Sequence, residues 1–232
     1  MAQPSPGPLG GELVRRGRRI AAGVPRHRFV RQLADGSLPG DSFLRYLVQN
    51  ALFLTGYAAA LHEAPGGGAP SSVTDLLTGL ETPISGPAIG AHVAEYRSRA
   101  GRDPDLAAAI PSPVTTAYVS HLRASARSGA AAVLVAILPG EQSYAAAGRY
   151  FGGSADRTSA NPYAGWIGQY AAGQVDELVT AILAGIAAAG PAAAGPPAGP
   201  AGRMRQELLH IYERSARLDE QFWEMAGRPA ES

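Results

Sequence analysis

From Asp41 onward, Phe43, Leu44, Leu47, Val48, Ala51, Leu52, Phe53 and Leu54 recur three and four residues apart on a broad apolar face. That spacing stacks side chains along one stripe of an α-helix, and it predicts a buried helix over 41–63 with Asp41 as its N-cap. A first helical element carrying basic residues is predicted from about Leu13 to Leu33, interrupted or kinked at Pro25. Asp35-Gly36-Ser37-Leu38-Pro39 reads as the turn that follows it. Further helical patterns run from Val73 to Leu80, Pro87 to Ala100, Val114 to Ser128 and Ala130 to Phe151, then from Pro162 to Ala189 and Arg203 to Ala226. Pro139-Gly140 falls inside the Ala130 stretch, where a missing N–H should disturb the hydrogen-bond ladder and expose backbone to a ligand.

No run alternates with period two over several residues, and Ala and Leu outnumber Val and Ile, so strands find little support. The expected fold is all-α, with about seven or eight helices stacked as a bundle. A chain of 232 residues suits one domain with a substantial core. The expected division is a flexible N-terminus over 1–11, a helical domain over 12–228 and a tail over 229–232. The Pro/Gly/Ala tract from Gly190 to Gly202 carries too little side chain to build a core and is expected to be a mobile loop.

The formal charge is only +1, with arginines scattered among acidic residues. Neither nucleic acid nor an anionic membrane is therefore an expected partner; a small molecule is. The chain has no cysteine, which removes disulfides, thiolate metal sites and cysteine nucleophiles together. Met1 to Gly11 is rich in Pro and Gly rather than apolar, and the Ala-rich stretches are broken well short of the roughly 20 residues of a membrane span. The expectation is a soluble cytoplasmic protein. His27, His62, His92, His121 and His210 are dispersed, and no Glu-x-x-His or paired-carboxylate pattern recurs as a di-iron site requires, so neither a metal nor a cofactor is expected.

Four ordered blocks carry a resemblance. Phe29 to Pro39 is followed by Phe43, Tyr46, Gln49 and Asn50; next come Ser112-Pro113 with Tyr118 and His121. Leu138-Pro139-Gly140 then leads to Tyr144, Tyr163, Trp166, Ile167 and Tyr170; the last block holds Tyr212, Ser215, Asp219, Gln221, Phe222, Trp223, Met225 and Ala226. In this order, across roughly residues 27 to 226, they resemble the TenA (thiaminase II) family. The resemblance implies a haem-oxygenase-like helical bundle, a homo-oligomer (tetramer or dimer), and a closed aromatic pocket for an aminopyrimidine released from thiamine or its degradation products.

Carried over residue by residue, the resemblance also marks departures. The family's nucleophilic cysteine matches Gly140, which has no nucleophile. Its pyrimidine-binding aspartate matches Asn50, which still donates and accepts hydrogen bonds but carries no charge. The tyrosine one turn later matches Phe53, and the acid/base glutamate matches Asp219. Tyr118, Tyr144 and Tyr170 match the pocket tyrosines, with flat faces for stacking and hydroxyls for orientation. Two readings of Glu141 stand: a general base filling the vacated space, or a solvated residue about 100° around the helix from Gly140. An apolar setting should raise the pKa of Asp219 into a range useful for acid–base work. Asp219 and Glu141 are therefore the candidate catalytic residues, with Asn50, Phe53, Tyr118, Gly140, Tyr144 and Tyr170 the candidate substrate-binding residues.

The leading functional reading is metal-free acid–base chemistry, whether hydrolysis, rearrangement or cyclisation, on a small substrate with an aromatic or apolar ring in specialised metabolism. A cysteine-independent aminopyrimidine hydrolase in thiamine salvage is the alternative, and a non-catalytic binding protein the second.

Overall fold

In the computed structural model, which describes residues 8–64, 68–154, 160–170, 174–190 and 199–228, the elements are helical and no strand occurs among the described residues. Helix α1 (Pro8–Gly23) starts with proline at a position whose N–H would be unpaired anyway. It begins earlier than the pattern of apolar positions suggested, so residues 8–11 are its first turn rather than part of a flexible segment. Residues 1–7 of that expected segment lie outside the described residues. The kink expected at Pro25 is a full break: a 3-10 turn over Val24–Arg26 separates α1 from α2 (Arg28–Asp35). Gly36 ends α2 in the left-handed conformation at φ 79°, which suits a residue without Cβ.

Helix α3 (Gly40–Glu63) has Pro39 rather than Asp41 as its N-cap, with Asp41 in the first turn where its charge favours the helix dipole. The run from α4 (Ser71–Pro83) to α5 (Ile89–Ala100) is continuous through a π-helical turn at Ile84–Ala88, which contains Pro87. A wider turn relieves the clash of a proline ring with the preceding carbonyls. Helix α6 (Pro113–Arg127) is capped by Ser112, whose hydroxyl accepts from the Thr115 N–H.

Helix α7 (Ala130–Ser154) passes through Pro139 without interruption, so the expected local disturbance does not break it. Residues 132–139 are all buried, because α7 packs against α1, α6, α9 and α10. The remaining helices are α8 (Ala164–Tyr170), α9 (Gln174–Ala189) and α10 (Pro200–Gly227). Of the tract 190–202, Pro200–Gly202 is the first turn of α10, while 191–198 lies outside the described residues, as does the tail 229–232.

Ala130–Gly153 and Ala164–Ala189 are in fact long and apolar enough for a membrane span by length and composition, against the expectation from sequence. In the first, 78% of the apolar window is buried inside the bundle, so the core accounts for its character; the second runs over 171–173, outside the described residues.

The core has two parts. One joins α1, the C-terminal half of α3, α4, α6, the N-terminal half of α7 and α9 around Leu13, Leu122, Leu134 and Ile182. The other joins α2, the start of α3, the later part of α7, α8 and the end of α10 around Phe29, Phe43, Trp166 and Trp223. Phe53 packs against both. Burying each such side chain contributes roughly 1.5–3 kcal/mol, so the walls of any space between the two parts are firmly held.

Candidate active site

A cavity of about 520 Å³ lies where the two core regions meet, within the size range of drug-sized ligand sites. Helix α3 supplies Asn50, Phe53, Leu54 and Tyr57, which lie three and four residues apart and so share one face over roughly 10 Å. Helix α6 supplies Tyr118, α7 supplies Gly140, Glu141 and Tyr144, α8 supplies Trp166 and Tyr170, and α10 supplies Asp219 and Phe222. All eight residues singled out from the sequence line this one space.

At Gly140 a Cβ would sit 3.2 Å from the Tyr118 hydroxyl and 3.7 Å from Oδ1 of Asp219. The missing side chain thus leaves room between a phenol and a carboxylate. Asp219 is buried, and burial pushes its carboxyl up to about 7 against the pull of hydrogen bonds from Ser143 and Trp223. Trp223 Nε1 donates to Ser143 Oγ at 2.7 Å, which leaves the Ser143 O–H to donate onward to Asp219.

Glu141 also faces the cavity rather than solvent. Its carboxylate accepts a hydrogen bond from the Tyr57 hydroxyl at 3.1 Å, and burial raises its pKa to about 7 despite that bond. The solvated reading fails because α7 is enclosed on nearly every side, so a residue 100° from Gly140 is still inside. The ionised form of Glu141 in turn raises Asp219 further. For both carboxyls the main cause of the rise is burial, and the charge of Glu141 adds a smaller contribution at Asp219.

The other end of the cavity is an oriented polar cluster. Nδ1 of His92 donates to the Ala88 carbonyl at 2.8 Å, so Nε2, with the imidazole held neutral by burial that lowers its pKa to about 4, must be an acceptor. Asn50 Nδ2 lies 2.7 Å from that Nε2 and donates to it, with the Tyr46 hydroxyl at 3.4 Å. The Tyr46 and Tyr144 hydroxyls are 3.2 Å apart, and the Tyr144 ring is 5.6 Å from Tyr170. Burial holds Tyr118, Tyr144 and Tyr170 well above the ordinary phenol range, so they act as neutral hydrogen-bonding groups and not as bases.

The sequence model of the TENA/THI-4/PQQC family matches residues 15–187, about three quarters of the chain. The chain belongs to this family. An uncharacterized protein of Haemophilus influenzae is 27% identical over 201 residues, covering 86% of this chain and 89% of that protein. The aminopyrimidine aminohydrolase of Halalkalibacterium halodurans is 26% identical over 202 residues, covering 86% and 87%. Among solved structures, a TenA family transcription regulator from Silicibacter superposes with a TM-score of 0.78 at 20% identity, covering 97% of this chain and 98% of that one. The TenA homologue of P. horikoshii gives 0.76 at 24% identity, covering 95% and 98%. The helical bundle is therefore that of TenA structures.

Within a TenA frame, several wall residues carried no signal of their own in the sequence. His92 was one of five scattered histidines; only its position after the Pro83 and Pro87 interruptions hinted at a special setting. Tyr57 was within reach of pattern reading, since it lies four residues after Phe53 on the same face. Trp166 and Phe222 belonged to the resemblance blocks, yet nothing in their spacing set them apart from ordinary core aromatics. His62 and His210 are exposed, and His62 Nδ1 faces Glu81 at 3.2 Å. His121 is buried against Ser215, its Nε2 at 3.0 Å from the hydroxyl. Among the described residues no three His, Asp or Glu side chains are grouped as metal ligands.

Proposed function

We propose that this TenA-family protein is a cysteine-free enzyme in which Glu141 and Asp219 form an acid–base pair acting on a small, ring-containing molecule. The observation that carries this reading is that both carboxyls line one cavity, Asp219 beside the space left by Gly140 and Glu141 on the Tyr57 hydroxyl, with burial raising each toward neutrality. At neutral pH the pair offers one base and one acid, the two groups a hydrolysis needs. The ionised carboxylate takes a proton from water as the water oxygen bonds to the carbon bearing a leaving amine. The protonated partner gives its proton to the amine as the carbon–nitrogen bond breaks, and the substrate leaves as an alcohol and ammonia or a free amine. The aromatic walls hold the ring, and Asn50 with the tyrosines orients it. The name of the Halalkalibacterium relative supports aminopyrimidines as the first substrates to try.

The test is direct. Purified protein is incubated with thiamine and with an aminomethyl-pyrimidine, and the hydroxymethyl-pyrimidine is followed by mass spectrometry. The expected result is product from the parent protein that drops by about 100-fold or more in Glu141→Gln and Asp219→Asn. Turnover that survives both substitutions sinks the paired-carboxylate reading. Gly140 favours a second reading, a site that binds without turnover; it predicts saturable binding of the same compounds and no product over long incubation.

A further inference from the structure

The carboxylates and the Asn50 cluster use only part of the cavity. Beyond Phe53 the walls become mainly apolar: Leu54, Leu80, Ile84, Leu122, Ile137 and Leu178 come from five helices and the π turn and carry no polar side-chain atom, while the Tyr57 hydroxyl on the same face of α3 is taken up by Glu141. Gly79 and Pro83, which also line the space, are exposed, and Ile84 and Leu178 are half-buried, so this apolar arm leads outward between α4 and α9. The opposite end is closed by buried Asn50 and His92 and the Trp166 ring, 4.8 Å from His92. At about 520 Å³ the whole space is larger than one small ring occupies.

The polar end sets its own requirement. The Nδ2 of Asn50 is committed to His92 and Tyr46. The Oδ1 therefore points away from that cluster as an acceptor, and no buried, unpartnered atom of Asn50 is found. A ligand ring seated there must present an N–H or O–H.

We propose that the substrate is an elongated molecule of two parts, a flat ring bearing a hydrogen-bond donor at the Asn50 end and an uncharged aliphatic or aryl substituent lying along the Leu54–Leu178 arm, with Glu141 and Asp219 at the junction. This rests on the acid–base reading of the site and adds the substituent to it. A charged or strongly polar substituent is disfavoured, because the six aliphatic side chains of the arm offer no hydrogen bond to repay its desolvation and the Tyr57 hydroxyl is already committed to Glu141. The reacting bond falls near the junction, so the substituent is held while the ring is oriented.

The test uses the full chain and a series of 4-aminopyrimidines carrying a straight 5-alkyl chain of increasing length, with dissociation constants measured by calorimetry. Affinity is expected to rise two- to fourfold per methylene, roughly the yield of burying a CH₂ group, over the first several carbons. Leu178→Asn and Ile84→Asn, both at partly exposed positions, are expected to flatten that rise, read within each variant as the gain per methylene relative to its own methyl compound; melting curves confirm folding. A methyl compound that binds while longer chains gain nothing overturns the inference and leaves the acid–base reading standing. A rise that neither variant flattens overturns the assigned arm. Failure of every member to bind overturns the inference and the reading of the site together.

Discussion

Asn50 Nδ2 lies 2.7 Å from Nε2 of His92, whose other ring nitrogen is held by the Ala88 carbonyl of the π turn. The π turn thereby fixes the histidine tautomer, and the tautomer fixes which way the carboxamide of Asn50 points. His92→Phe keeps the ring volume and removes the acceptor, so the carboxamide is free to rotate. The expected result is a KM for an aminopyrimidine raised about tenfold, with kcat changed much less, since binding orientation and not the carboxylate pair is lost. Steady-state kinetics check this, and an unchanged KM would show that Asn50 is oriented by something other than His92.

Gly140 joins stability to chemistry. A mid-helix glycine costs roughly 0.5–1 kcal/mol relative to alanine, and among the described residues outside its own helical turn a new methyl group would meet the Tyr118 hydroxyl at 3.2 Å and Asp219 Oδ1 at 3.7 Å. The hydroxyl is the end of a side chain and has to move by only a few tenths of an ångström. Gly140→Ala is therefore expected to raise Tm by about 1–4 °C. Because the methyl group fills the space where water would approach Asp219, turnover should fall at least tenfold in the same variant. Higher stability with undiminished turnover would place the attacking water elsewhere.

At Gly148, α7 comes close to the end of α8: a Cβ there would collide with the Tyr170 carbonyl oxygen, backbone that cannot swing aside. Gly148→Ala should push the end of α8 outward, at a cost of about 1–3 kcal/mol of stability. Tyr170 lines the cavity, so ligand affinity should fall with it. Denaturant unfolding and calorimetry on one preparation would test both; loss of stability with unaltered affinity would mean that α8 moves without carrying Tyr170.

The fold was largely legible because burial in a bundle leaves its period in the sequence, most clearly on the Phe43–Leu54 face of α3. Helix ends were less so. Pro8 and Pro200 open helices inside Gly- and Pro-rich stretches that read as loop, since proline is tolerated in a first turn for the same reason that it breaks a later one. At the site, the TenA resemblance named eight residues that line one cavity, but sequence left the direction of Glu141 open. That direction depends on α7 being enclosed by four other helices, a fact of tertiary packing. His92 was out of reach for a similar reason: its meaning comes from a π turn and from Asn50, 42 positions away in the chain.

Burial of Asp219 makes stability depend on pH. Its folded pKa, about 7, lies above the ordinary value of 3.8, so the folded state holds a proton that the unfolded chain has already released between about pH 4 and 7. Stability linked to this group is therefore fully present below pH 4 and lost as pH rises through 7. Glu141, raised to about 7 from 4.5, acts in the same direction. Asp219→Asn keeps the shape of the side chain and removes the ionisation. Relative to the parent, the variant should gain on the order of 3 kcal/mol at pH 8 and almost nothing at pH 4. Melting curves at the two pH values decide it: a gain of roughly 6–12 °C confined to the alkaline side is expected for a chain of this size. An equal shift at both values would mean that Asp219 titrates in the folded protein as it does in the unfolded chain and that its cavity is wetter than its burial implies.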